Sequence, residues 1–219
     1  MKKILIAGAV ALFSLSNAQI AKGTKYLSGQ VGYYHKEENS YDTKRKDNVI
    51  RILPTAGYFV GTNLAVGLGI GYKSAVTKYV IGDAVVSNVT ELKDTDNAFV
   101  VSPFVRKYWT LSDKLFIFGQ LQVPLEFGKE KLVSSSNDAW IDPELSLFSR
   151  KNNYTNIGVN IRPGLDYFIT KNWSIEATIG EFGYNSYKRD IDGAKSNDNY
   201  KFGISLTSVT FGVKYVFAK

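Results

Sequence analysis

The chain has 219 residues, no cysteine and a formal net charge of +7. Without cysteine there is no disulfide framework, no lipid attachment at a processed cysteine and no thiolate metal cage. The length suits one domain. The basic surplus is spread over segments such as Lys44-Arg45-Lys46, balanced by Glu37, Glu38, Asp42 and Asp47, which argues against a nucleic-acid partner.

In chain order, residues 1–18 read as a secretory signal peptide. Lys2 and Lys3 form a positive start, Ile4 to Leu15 a short apolar stretch, and Ser16-Asn17-Ala18 a small-residue cleavage site. That apolar stretch falls short of the roughly 20 residues that span a bilayer as a helix. Cleavage after Ala18 leaves residues 19–219 as the exported domain. Its formal charge is +5 (25 basic against 20 acidic residues), which suits anionic lipid headgroups better than nucleic acid.

Eight alternating segments follow, at about 25–35, 48–60, 64–80, 98–110, 114–127, 154–169, 173–184 and 200–217. Apolar residues at every second position give a strand one apolar and one polar face. The third segment opposes Leu64, Val66, Leu68, Ile70 and Tyr72 to Ala65, Gly67, Gly69, Gly71 and Lys73. The sixth opposes Ile157, Val159, Ile161, Pro163, Leu165 and Tyr167 to Asn156, Gly158, Asn160, Arg162 and Asp166. The parity of the last slips near Thr207-Ser208, where a bulge is expected. The connections alternate in kind. Gly61-Thr62-Asn63, Leu111-Ser112-Asp113 and Thr170-Lys171-Asn172 are short turns, whereas 36–47, 81–97, 128–153 and 185–199 are long, polar and charged.

Tyr58, Phe59, Tyr108, Trp109, Tyr167, Phe168 and Trp173 flank the short turns. A second aromatic group, Tyr33, Tyr72, Phe99, Phe127, Tyr154 and Tyr184, lies near the long-loop ends. Two aromatic bands at opposite strand ends are what a bilayer's two interfaces favour. The faces then invert relative to a soluble protein: apolar residues meet lipid, and the small, polar and charged set lines a lumen. Closure is obligatory, because an open edge in hydrocarbon leaves backbone groups unpaired at several kcal/mol each. The expected fold is all-β: a closed up-and-down antiparallel transmembrane β-barrel of eight strands, or ten if 128–153 hides another hairpin. A soluble lipocalin-type barrel is the rival, but it leaves the two aromatic bands unexplained. Prolines 54, 103 and 163 fall on the lipid side, where a strand end or bulge is expected to absorb their missing donors.

With these residues in hand, the chain resembles the outer-membrane β-barrel domain family, the small porin-like barrels of OmpA/OmpX type in Gram-negative bacteria. The resemblance rests on the repeated proline–aromatic–turn pattern at Pro54, Pro103 and Pro163, and on the closing Phe211-Gly212-Val213-Lys214-Tyr215-Val216-Phe217. In such barrels an alternating aromatic last strand is read by the insertion machinery, and the aromatic is usually the final residue; here Ala218 and Lys219 follow it. The resemblance implies an outer-membrane location, with outer-membrane lipids and lipopolysaccharide as neighbours.

No catalytic, cofactor or metal residues are assigned. His35 is the only histidine and no serine is identifiably paired with it, so it reads as a rim residue rather than an esterase base. Asp190-Ile191-Asp192-Gly193 lacks the spacing of a calcium loop and reads as a solvated turn. Gly67-Leu68-Gly69-Ile70-Gly71 lacks the following helix of a phosphate loop, so its glycines are expected to let strands pack closely. The lumen set Arg51, Lys73, Arg106, Glu126, Arg162, Asp166, Glu176 and Lys214 carries both signs. In an eight-strand barrel just wide enough for its side chains, a paired polar plug is favoured over a narrow ion path. The expected role is structural, or surface interaction with an extracellular ligand through the long loops. The alternatives are a small pore and, last, a lipid-modifying enzyme. Trp140, Ile141, Leu145, Leu147 and Phe148 in 128–153 are the candidate contact residues.

Overall fold

The computed structural model describes residues 19–41, 43–82, 89–136, 147–203 and 209–217. The signal segment, the tips at Trp140, Ile141 and Leu145, and the bulge expected at Thr207-Ser208 lie outside the described residues.

Among the described residues eleven strands form one antiparallel sheet: β1 Lys25–Asn39, β2 Thr43–Gly61, β3 Leu64–Gly82, β4 Val89–Thr110, β5 Leu115–Gln122, β6 Leu125–Ser136, β7 Leu147–Phe168, β8 Trp173–Thr178, β9 Phe182–Arg189, β10 Asn197–Lys201 and β11 Thr210–Phe217. They make eight staves, because three staves are interrupted. β4 pairs along its length with β5 and then β6, and β7 pairs with both of these on one side and with β8 and β9 on the other. The eighth stave consists of β10 against β9 and β11 against β8. β11 then pairs with β1, from Lys25 opposite Phe217 to Val31 opposite Phe211, and the sheet is a ring.

Burial shows which face is which. Leu27, Ile52 and Ile161 are each at least half exposed, whereas Arg106, Asp166 and Lys214 are 0% exposed. A chain folded for water would reverse those values; this pattern is the lipid-facing one. Each proline sits where the ladder is already broken. Pro54 falls in the gap between the Ile52–Tyr72 and Thr55–Gly69 pairs, Pro103 faces the interruption at Val123-Pro124, and Pro163 faces the end of β8. A second irregularity lies at Gly180, whose φ of 78° suits glycine. It reverses the parity of its stave: Ile175 and Ala177 are in register with lipid-facing Tyr167 and Leu165, whereas Phe182 and Tyr184 are in register with Ile161 and Val159.

Two expectations are corrected. The long connections are mostly not loops. The β3–β4 ladder runs on to Gly82 opposite Val89, and the β6–β7 ladder to Ser135 opposite Leu147. Beyond the bilayer both faces meet water, so the apolar alternation lapses while the ladder continues. The described part of 128–153 therefore lengthens one hairpin rather than adding another. The aromatic pairs at the short turns also split. Tyr58, Trp109 and Tyr167 face out, whereas Phe59 and Tyr108 are buried inside and Phe168 packs against them, because neighbours in a strand point to opposite faces. Tyr154, expected in the outer band, is likewise inside, at 3% exposure.

Candidate functional site in the barrel lumen

The lumen is built in layers. At the short-turn end the inward positions are aromatic: Tyr26 from β1, Phe59 from β2, Phe104 and Tyr108 from β4, and Phe116 and Phe118 from β5. Ring centroids lie 5.8 Å apart for Tyr26–Phe59, 5.5 Å for Phe59–Tyr108 and 5.7 Å for Tyr108–Phe118, within the range of favourable tilted contacts. Glycines make room for these rings. A Cβ at Gly164 would lie 2.7 Å from Phe118 Cε2, and one at Gly67 would lie 2.8 Å from Phe104 Cε1. Ile20 closes the floor from below. Its backbone N donates to Asn63 Oδ1 at 2.8 Å, and Asn63 N donates back to the Ile20 carbonyl at 3.1 Å. Asn63 is the turn residue with φ 57°, a conformation asparagine tolerates better than most.

Directly above the floor lies a dry ionic layer. Arg106 Nη1 donates to Glu176 Oε2 at 2.5 Å, and its Nε donates to Gln120 Oε1 at 2.7 Å. The guanidinium stands 4.2 Å from the centroid of the Phe118 ring. Glu176 Oε1 accepts from Ser28 Oγ at 2.5 Å and from Gln30 Nε2 at 2.7 Å. Lys214 pairs with Asp166 and donates to Tyr108 Oη at 3.2 Å. Asp166 and Glu176 are cross-strand neighbours on β7 and β8. Two like charges in that position repel, and each is neutralised by a cation from a different stave. Arg162 is held by Thr178 Oγ1 at 2.9 Å, with Glu181 3.9 Å away.

The outer layer is wetter. Glu126 takes Arg51 at 3.3 Å and Lys73 at 3.1 Å, and Lys73 also reaches Asp96 at 2.9 Å. Tyr154 donates to Asp96. A cavity of about 200 Å³ opens here, lined by Arg51, Lys73, Asn156, Asn160, Asn199 and Lys201 among others. Further out, Arg189 pairs with Glu130 at 3.0 Å. Burial, with Glu130 and Asp96 nearby, pushes the Asp94 carboxyl above the usual range.

All eight charged residues expected in the lumen are there, and Arg106–Glu176, Lys214–Asp166 and Arg51–Glu126–Lys73 are ion pairs. Sequence reasoning missed the aromatic floor and the Ile20 strap. The signal was present in Phe116-Ile117-Phe118, where the inward positions beside a short turn are apolar. His35 lies on the outward face of β1, with Nδ1 2.8 Å from Asn48 Oδ1. Residues 190–193 form an exposed turn between β9 and β10.

An eight-stave ring, apolar outside and charged within, with an aromatic layer at the end with short turns and drawn out into hairpins at the other, is an integral outer-membrane β-barrel. The chain belongs to the outer membrane protein beta-barrel domain family, which matches residues 5–217. Among solved structures it is similar to the N-terminal β-barrel domain of Pseudomonas aeruginosa OprF, at 13% identity over 90% of this chain and 100% of that one (TM-score 0.36). It is also similar to Neisserial surface protein A, at 16% identity over 90% and 98% (TM-score 0.39). A third is OprG from Pseudomonas aeruginosa, at 10% identity over 91% and 98% (TM-score 0.44). A comparison with curated protein sequences returns no significant match.

Proposed function

We propose that this barrel is a sealed, non-catalytic platform whose role is carried by the hairpins it holds beyond the membrane. The observation that carries this reading is the cross-section at Arg106, Glu176, Asp166 and Lys214. All four side chains are almost wholly buried, and they rest on a floor of packed aromatic rings. A hydrated ion crossing that section has to break two buried pairs and part the floor. The 200 Å³ cavity above is then a blind vestibule rather than a channel. The hairpins are long: β3 and β4 remain paired for ten residues past the Tyr72–Phe99 pair, about 33 Å along the strand. Phe148, half exposed on β7, is the described remnant of the apolar contact group. An N-terminal signal peptide cleaved after Ala18 completes this reading, and it places Ile20 close to the new N-terminus.

The test is single-channel recording of the purified protein in a planar lipid bilayer. The expected result is no steady conductance. A stable conductance whose ion selectivity changes in Arg106→Gln or Arg162→Gln overturns the sealed reading in favour of a pore.

A further inference from the structure

One side of the cavity above the ionic layer is a wall of amides. Register on β7, β9 and β10 sets Asn160 opposite Gly183, Gly158 opposite Asn185, and Asn185 in turn opposite Asn199. Asn156, Asn160, Asn185, Asn197 and Asn199 all line the cavity. The glycines make room for them: a Cβ on Gly158 would collide with Asn185 Oδ1, and one on Gly183 with Asn160 Oδ1. Asparagine is depleted in strands, so strand formation does not explain this concentration on one wall.

Polar atoms of the wall are left open. Arg162 Nε, Asn160 Oδ1 and Asn156 Oδ1 are buried and have no hydrogen-bond partner among the described residues. Arg162 and Asn160 are only 4% and 3% exposed. The Arg162 guanidinium is anchored through Nη2, which donates to Thr178 Oγ1 at 2.9 Å and to Thr210 Oγ1 at 3.4 Å. Glu181 Oε2 is 3.9 Å from its Nε, too far for a hydrogen bond. Buried polar groups are ordinarily satisfied. A cationic donor and two amide acceptors left open on one wall outline a ligand that accepts at one end and donates along its side.

Charge decides which end is which. Arg51, Lys73, Arg162 and Lys201 line the cavity against Glu126 and Glu181. Asp96, paired with Lys73, brings the acids to three against four cations. Glu126 is taken by Arg51 and Lys73, whereas Lys201 makes no ion pair among the described residues. A bare anion such as phosphate leaves the amide oxygens unfilled, and a neutral polyol leaves the cations unanswered. The cavity, about 200 Å³, falls below the roughly 300–1,000 Å³ of sites for drug-sized ligands, so the occupant is small.

We infer that this wall is a binding site for a small hydroxylated carboxylate of monosaccharide size. The carboxylate accepts from Arg162 Nε and the Lys201 ammonium, and the hydroxyls donate to Asn160 Oδ1 and Asn156 Oδ1. This goes beyond the proposed function and does not depend on whether the section below conducts.

The test is titration calorimetry on the whole mature protein in a detergent without a sugar headgroup. The probes are D-glucuronate and D-gluconate, with D-glucose, inorganic phosphate and glycine as comparisons. One-to-one binding of at least one probe is expected, at least tenfold tighter than any comparison. Asn160→Asp keeps the shape of the side chain but sets a negative charge beside the carboxylate, and at least a tenfold loss is expected. Lys201→Gln, at an exposed residue, is expected to lose severalfold and carries the test should Asn160→Asp not fold. Lys107→Gln, on the outward face at the opposite rim, is the control and is expected to bind unchanged. Heat-dependent gel mobility confirms that each variant is a folded barrel. Failure of both probes to bind overturns the site, and phosphate, glucose or glycine binding as tightly as the probes overturns its ligand class. Unchanged binding in folded Asn160→Asp and Lys201→Gln overturns its placement on this wall.

Discussion

The two ends of the lumen solve the same problem, charge inside a membrane protein, in opposite ways. Near the short turns, Arg106, Glu176, Asp166 and Lys214 are buried and held in ion pairs, with Arg106 Nη2 and Asp166 Oδ1 left without a hydrogen-bond partner. Near the hairpins, Arg51, Lys73 and Glu126 share partners around a cavity, with Glu126 buried and the two cations partly exposed. The difference follows from what lies beneath each. A floor of packed rings excludes water from the first layer, and no such floor exists in the second. Burial raises the penalty for an unpaired charge far more than it raises the value of a made pair. The inner layer should therefore be brittle and the outer one forgiving.

The strongest way to break that contrast is Glu176→Ala. It leaves the Arg106 guanidinium without its carboxylate and strips Ser28 and Gln30 of their acceptor. A loss of about 3–5 kcal/mol is expected, read from urea unfolding in lipid vesicles. A loss below about 1 kcal/mol would mean that water reaches the layer after all. Arg51→Ala is the matching change in the outer layer. Lys73 and Asn156 stay on Glu126, and solvent replaces the rest, so the same assay should show less than about 1 kcal/mol. The smallest effect tests the hairpin wall. The folded pKa of Asp94 is raised by burial and by Glu130 and Asp96. Its contribution favours the hairpin below the free-carboxylate range and is lost as pH rises through the raised value. Asp94→Asn should protect the β4–β6 amides slightly at pH 7, by under about 0.5 kcal/mol, and make no difference well below pH 4. Hydrogen exchange at the two pH values checks it, and greater protection at the lower pH alone would reverse the sign.

Much of this architecture was legible because a strand has period two. Once Leu64-Ala65-Val66-Gly67-Leu68 fixes one face, every residue of that stave is assigned, and the lumen set from Arg51 to Lys214 follows. What the pattern does not encode is depth. Glu126 and Glu176 read alike as lumen acids, yet Glu176 lies with Arg106 directly above the aromatic floor whereas Glu126 lines the outer cavity. Nor does periodicity reveal partners from different staves: Lys214 on β11 finds Asp166 on β7 across the intervening β8, 48 residues away. The extent of the hairpins was misread for a related reason. Outside the bilayer a ladder needs no apolar face, so 81–97 looks like a loop in sequence while all of its described part is strand.

The pairing of β1 with β11 also bears on where the chain begins. Each of the other stave contacts joins neighbours in the sequence, and this seam alone joins its two ends, with Lys25 opposite Phe217. Around the ring, then, no junction is structurally privileged as the start. A circular permutant that ties residue 217 to residue 19 through a short linker, and opens the chain within 137–146, keeps every ladder described here. The barrel is a closed cycle in connectivity as well as in shape, and its ends are a matter of how it is made rather than of how it stands.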